Sequence, residues 1–164
     1  MIWRQVHRYY GPARELADRH YSRQKVGSPQ FMPSGSCMVL YAEDRDQRAV
    51  WGTSWPKAEF TKHEWAGAWM CSIYRNEGFP RSHKLIRQAV AATRSFYGDP
   101  PPMGMVTFIN EDLVRDKATP GWTFFLAGFR PVGRSAKRGF LAMQLAPDRF
   151  PAAQPAVGMN VGLL

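Results

Sequence analysis

The chain has 164 residues, 45% of them hydrophobic and 21% charged, with 22 Lys and Arg against 13 Asp and Glu for a formal charge of +9. This composition excludes a disordered, fibrous or disulfide-stapled chain, and no apolar run approaches the ~18 residues a bilayer span requires. The opening MIWRQVHRYY lacks an apolar stretch of signal-peptide length, and Cys37 and Cys71 both sit in apolar runs, so a cytoplasmic protein with reduced thiols is expected.

The first predicted element is a helix over 12–22, where Ala13, Leu16, Ala17, His20 and Tyr21 recur at helical spacing behind Gly11-Pro12. Residues 23–35 are rich in Gly, Pro and Ser and read as a loop. Strands at 36–42 and 49–55, joined by the polar turn EDRDQ, make an antiparallel hairpin. The near-continuous apolar run 66–74 is a central strand. Ser82 is the expected N-cap of a long helix whose apolar face is Leu85, Ile86, Ala89, Val90, Thr93, Phe96 and Tyr97, stopped by Gly98. A strand at 103–109, a short helix at 120–127 and strands at 130–134 and 139–145 complete the list. Residues 1–146 then form one domain, and 147–164, with three prolines and no periodicity, a loosely held, flexible tail. A strand–helix–strand crossover within a meandering sheet makes the fold α/β in the α+β sense, with a mixed sheet.

The distribution of charge is more informative than its total. Sixteen of the basic residues are Arg and six are Lys. Residues 1–25 carry Arg4, Arg8, Arg14, Arg19, Arg23 and Lys25 against Glu15 and Asp18. Residues 81–94 carry Arg81, Lys84, Arg87 and Arg94 with no acid, and 117–147 carry Lys117, Arg130, Arg134, Lys137 and Arg138, again with none. Such clustering is the footprint of a polyanion such as nucleic acid, or else a solvated basic surface.

The turn Tyr74-Arg75-Asn76-Glu77-Gly78-Phe79-Pro80-Arg81-Ser82-His83 leads a strand through a glycine into a helix. That geometry aims backbone N–H groups and the positive helix end at one point, which suits a phosphate; the plainer reading is a strand–helix connection with solvated arginines. Glu77 in this turn repels phosphate unless it is turned away or paired with Arg75 or Arg81.

Over about residues 36–145 the chain resembles the GNAT superfamily of N-acetyltransferases. Arg75-Asn76-Glu77-Gly78-Phe79-Pro80 is similar to the family's Arg/Gln-x-x-Gly-x-Gly/Ala turn, which holds the pyrophosphate of coenzyme A; Pro80 replaces the last small residue. Residues 105–110 (MVTFIN) are similar to the family's next strand, and Phe124-Phe125-Leu126-Ala127-Gly128-Phe129 to its Tyr-x-x-x-Gly-Phe signature. The resemblance implies a mixed, mostly antiparallel central sheet flanked by helices, with acetyl-CoA or another acyl donor held by Arg75, Asn76, Gly78, Arg81 and Ser82. Phe124 stands where the family carries a Tyr acting as general acid, so that role is either unused or met elsewhere. Within the superfamily, His20-Tyr21-Ser22, Asn76 with Ser82, and Thr107-Phe108-Ile109-Asn110 resemble the Mom-type phage DNA-modification proteins, which alter the exocyclic amine of adenine; a phage origin implies a bacterial host's cytoplasm.

The candidate catalytic residues are His20, as base or hydrogen-bond acceptor or else a structural histidine; Tyr21, chiefly for packing or stacking; and Asn110, to bind a carbonyl or base edge, with Asp112, to accept a proton, the two otherwise being a polar loop start. Arg19, Arg23, Lys25, Arg130, Arg134, Lys137 and Arg138 are the expected nucleic-acid contacts. Trp55 and Trp65 flank a loop with Lys57, Lys62 and His63, and either stack a base or anchor the loop. The histidines and cysteines show no metal-ligand spacing. The leading expectation is a GNAT-like transferase acting on a nucleobase in DNA, either duplex with a flipped base or single-stranded. An acetyl-CoA-dependent acetyltransferase of small-molecule or protein amines and a non-catalytic nucleic-acid-binding module are the alternatives. No membrane partner is expected, and a homodimer is left open.

Overall fold

The computed structural model describes residues 1–23, 25–113 and 121–160. Its elements are β1 (Arg4–Val6), α1 (Gly11–Ala17), β2 (Cys37–Asp44), β3 (Gln47–Ser54), β4 (Trp69–Glu77), α2 (Ser82–Tyr97), β5 (Met105–Ile109), α3 (Trp122–Leu126), β6 (Arg130–Arg134) and β7 (Leu141–Leu145). The strands form one seven-stranded sheet in the order β1-β2-β3-β4-β5-β7-β6, antiparallel at every step except β4–β5. The expected mixed, mostly antiparallel sheet flanked by helices is what forms. Among the described residues, no helix is long and apolar enough to cross a membrane.

The two-residue period of the strands explains the layering. Val39 and Tyr41 of β2, Val50 of β3 and Ile73 of β4 bury against Ala13, Leu16 and Ala17 of α1. Their alternates Met38, Leu40, Ala49, Trp51, Trp69 and Cys71 point the other way, onto Leu85, Ile86, Ala89 and Val90 of α2. Both faces being covered, β2 and β3 are apolar on successive residues rather than alternately. Two of the indole N–H groups buried beneath α2 find acceptors, Trp3 Nε1 donating to the Leu85 carbonyl at 2.9 Å and Trp51 Nε1 to Thr93 Oγ1 at 3.2 Å, whereas the Trp69 indole N–H has no partner among the described residues.

Three expectations are corrected. The first helix stops at Ala17 and not at residue 22, because the residues beyond it are captured by tertiary partners: Asp18 by Arg23, Arg19 by Glu77, and Tyr21 by β5. Ser82 is not the N-cap of α2. Arg81 holds that position in a left-handed conformation (φ 55°, ψ 55°), and Ser82 is the first helical residue, with its hydroxyl turned to Tyr74. A non-glycine residue there costs roughly 1–2 kcal/mol. The segment after β7 is no loose tail through Asn160. Phe150 and Ala156 are buried in the main core, the Gln154 amide donates to the Ala91 carbonyl, and Val157 bridges β1 at Arg4. Residues 161–164 lie outside the described residues. β1 itself, three residues without an alternating pattern, was not among the predicted strands.

Candidate functional site

Strands β4 and β5 pair as parallel neighbours only at Trp69–Met105 and Met70–Val106. A final link, from Thr107 Oγ1 to the Cys71 carbonyl at 3.1 Å, marks the vertex, and beyond it the strands diverge. The register of β3 on β4 shifts at Gly52/Thr53, which leaves Ser72 as the extra residue of a bulge on the β4 side. Between the diverging halves lies a cavity of about 630 Å³. Its walls come from the turn after α1, from β4, from the start of α2, from the end of β5 and from α3. A crevice at the C-terminal ends of parallel strands is where open α/β sheets place ligands.

His20 and Tyr21 reach this cavity side by side, with ring centroids 4.2 Å apart. The Ser22 backbone N–H donates to His20 Nδ1 at 3.1 Å. Nδ1 is therefore the acceptor nitrogen and the proton of the neutral ring sits on Nε2. Burial, helped by the Arg75 charge, pushes the His20 pKa down to about 4. The ring is thus neutral, with Nδ1 occupied by the Ser22 N–H and the Nε2–H left to donate. Tyr21 donates its hydroxyl proton to the Phe108 carbonyl at 2.9 Å, bracing the turn after α1 against β5. Burial raises its pKa to about 12, which fits a strut.

A hydroxyl pair lines the same cavity. The Tyr74 hydroxyl lies in a short hydrogen bond with the Ser82 hydroxyl and also donates to the Ser82 carbonyl at 3.3 Å. Both residues line the cavity. Burial lifts the Tyr74 pKa to about 12, so the phenol keeps its proton. Its ring packs edge-on against Phe124 at 5.8 Å. A phenol thus stands one ring away from Phe124, on β4. Tyr74 lies in the predicted strand 66–74, where an aromatic reads as core, and only the packing reveals its hydroxyl in the cavity.

The expected anion loop is built differently from its sequence. Glu77 accepts from Arg19 Nε and Nη2 at 2.8 and 2.9 Å and from Arg75 Nε at 2.5 Å, and these hydrogen bonds hold its pKa down at about 2. Arg75 also donates to the Arg19 carbonyl at 3.0 Å. Asn76 clamps the turn, its amide donating to the Phe79 carbonyl while its oxygen accepts the Phe79 N–H, each at 2.9 Å. Gly78 serves the turn as well: its φ is +105°, and a Cβ there would stand 3.3 Å from the Gln47 side chain. Of the five residues expected to hold a donor, Arg75, Asn76 and Ser82 line the cavity, Arg75 being bound to Glu77 and Asn76 to the turn, while Gly78 shapes the turn and Arg81 is exposed beside the first turn of α2.

Asn110 and Asp112 do not line the cavity among the described residues. The Asn110 side chain accepts the Asp112 N–H at 3.2 Å and so starts the turn Glu111–Leu113. The expected nucleic-acid contacts separate into two groups. Arg23, with its side chain only 4% exposed, binds Asp18 at 2.6 Å, the Gln30 carbonyl at 2.7 Å and the Ser28 carbonyl, so it holds a loop. Arg19 is taken by Glu77, and Lys25 is exposed. Arg134 pairs with Glu111 at 2.6 Å, while Lys137 and Arg138 stand exposed on the β6–β7 hairpin. Lys117 lies outside the described residues. Trp65 is 5% exposed and packed with Phe108, and Trp55 rests edge-on against Trp69 and Tyr97, so both anchor the loop between them. Sequence reasoning overlooked Trp122, which lines the cavity mouth and is 49% exposed. Among the described residues, no group of three or more His, Cys, Asp or Glu could hold a metal ion.

No family model, curated protein or solved structure matches the chain.

Proposed function

We propose that this protein is a GNAT-like transferase, of the Mom type its sequence resembles, that adds a small acyl-type group to the exocyclic amine of a nucleobase in DNA. The observation that carries this reading is the convergence of two protonated donors, His20 Nε2 and the Tyr74–Ser82 hydroxyl pair, in a cleft between diverging parallel strands. The cationic β6–β7 hairpin, tied to the end of β5 by Arg134 and Glu111, supports a polyanionic substrate at the same mouth. A base enters such a cavity only when it leaves the stack, at a cost of a few kcal/mol that is least for an unpaired base.

An acyl donor fits the start of α2. The amides of Ser82 and His83 precede the helical ladder there, and Arg81 and Lys84 are exposed beside them. With Arg75 bound to Glu77 and a proline at position 80, this is a weaker pyrophosphate site than the family's, and the donor class is an activated thioester rather than acetyl-CoA alone. When bound, such a donor supplies an electrophilic carbonyl carbon and a thiolate leaving group. The amine nitrogen gains that carbon as the carbon–sulfur bond yields its electron pair to sulfur, and the proton lost by the amine balances the one gained by the thiolate. Tyr74 holds the proton for that exchange and recovers it through the Ser82 hydroxyl, while His20 Nε2–H steadies the carbonyl oxygen.

The test is mass spectrometry of nucleosides from the DNA of cells expressing the protein. A new nucleoside that falls about 100-fold in Tyr74→Phe, with folding retained, is the expected result. Unmodified nucleosides alongside tight DNA binding would replace this reading with a non-catalytic binding protein.

A further inference from the structure

The short helix α3 has no buried residue, although four of its five side chains are apolar. Trp122 is 49% exposed and Phe125 is 37% exposed. Their rings lie nearly parallel, 12° apart with centroids at 5.4 Å, and the Arg130 guanidinium sits 4.2 Å from the Phe125 ring. Arg130 is fixed there by the carbonyls of Phe125 and Phe129, at 3.2 and 2.8 Å, and pairs with no carboxylate among the described residues. Gly121, left-handed at φ +77°, approaches so near Ile109 that a Cβ would stand 3.0 Å from its Cδ1, which seats Trp122 at the cavity mouth.

We propose that Trp122 and Phe125 form a stacking platform for an unpaired nucleotide next to the one that enters the cavity. The inference rests on the DNA-directed reading above and adds where the strand runs. The outer face of Trp122 is the flat surface offered to a base, Phe125 backs it with Arg130 over its own ring, and the guanidinium adds positive charge beside the stack. From α3 the chain passes directly into β6 and the exposed Lys137 and Arg138, so a strand leaving the platform meets positive charge. A second copy of the chain is a poorer occupant. A two-fold contact would set this cationic patch against itself, with Arg130 and Arg134 near their own counterparts.

The test follows binding of a single-stranded oligothymidylate and of a blunt duplex to the full chain at low salt. Trp122→Ala and Phe125→Ala are each expected to weaken single-strand binding about tenfold, Trp122→Phe to restore most of it, and Trp55→Ala to leave it unchanged. Duplex binding is expected to stay near wild type in all four. Unaltered single-strand binding in Trp122→Ala and Phe125→Ala, in protein whose unfolding transition is intact, overturns the platform. So does the loss of a dimer by Trp122→Ala without loss of single-strand binding. A modified nucleoside in cells together with unaltered binding sinks the platform alone, whereas tenfold weaker binding with no modified nucleoside keeps the platform and sinks the transferase reading.

Discussion

The arginines beside α1 and β4 and those on the α3–β6–β7 side have the same formal charge and opposite employment. Around the cleft floor, Arg19, Arg48 and Arg75 converge on Glu77, and Arg23 is bound by Asp18 and two loop carbonyls. On the other side Arg134 meets the single carboxylate Glu111, Arg130 meets an aromatic ring, and Lys137 and Arg138 face solvent. The first set holds the turn after α1 against β4, with Arg19 and Arg75 lining the cavity; of the second, Lys137 and Arg138 are exposed. A residue count treats the two alike, because what separates them is how many carboxylates and carbonyls each cation engages among the described residues: Arg134 has Glu111 and one carbonyl, Arg130 two carbonyls and no carboxylate, and Lys137 and Arg138 neither.

Removing a member of the first set is expected to cost folding. Arg23→Ala leaves Asp18 without its buried partner and strips the 25–30 loop of its anchor, so the urea midpoint is expected to fall by the equivalent of about 3 kcal/mol. An unchanged midpoint would put Arg23 among the structurally dispensable cations. Glu77→Gln is the next largest effect, about 1–2 kcal/mol at neutral pH once solvent screening of the partly exposed Arg19 is allowed for. Glu77 titrates at about 2 in the folded chain against an ordinary 4.5. The stability it provides is therefore complete above about pH 4.5 and drains away as pH falls toward 2. Thermal unfolding of wild type and Glu77→Gln should converge across that window, and a constant gap would break the assignment. At the small end, Lys137→Ala/Arg138→Ala is expected to leave stability within about 0.5 kcal/mol of wild type.

Much of the sheet was legible because its strands carry unbroken apolar runs and its long helix a clear apolar face. The parallel β4–β5 step followed from the helix between them. Placing the site was harder. His20 and Tyr21 could be chosen because a histidine–tyrosine pair precedes a glycine-rich loop, but the role of His20 is set by one backbone N–H of Ser22, which no pattern encodes. Arg23 looked like a phosphate contact because its partners, Ser28 and Gln30, act through carbonyls common to every residue. Trp122 escaped notice since an aromatic in a short apolar helix reads as core, and Tyr74 because it sits in an apolar strand. The segment around Phe150 lacks periodicity yet is held by backbone bonds and two buried side chains.

The proposed DNA-directed activity requires nucleic acid on the α3–β6–β7 side and not on the arginines bound to Glu77 and Asp18. The most direct measurement is the salt dependence of DNA affinity for wild type, Lys137→Ala/Arg138→Ala and Arg19→Ala. The slope of log K against log salt is expected to flatten by about 1.5 in the hairpin variant, two phosphates fewer, and to hold within error in Arg19→Ala. An unchanged slope in the hairpin variant with a flattened one in Arg19→Ala would contradict that placement.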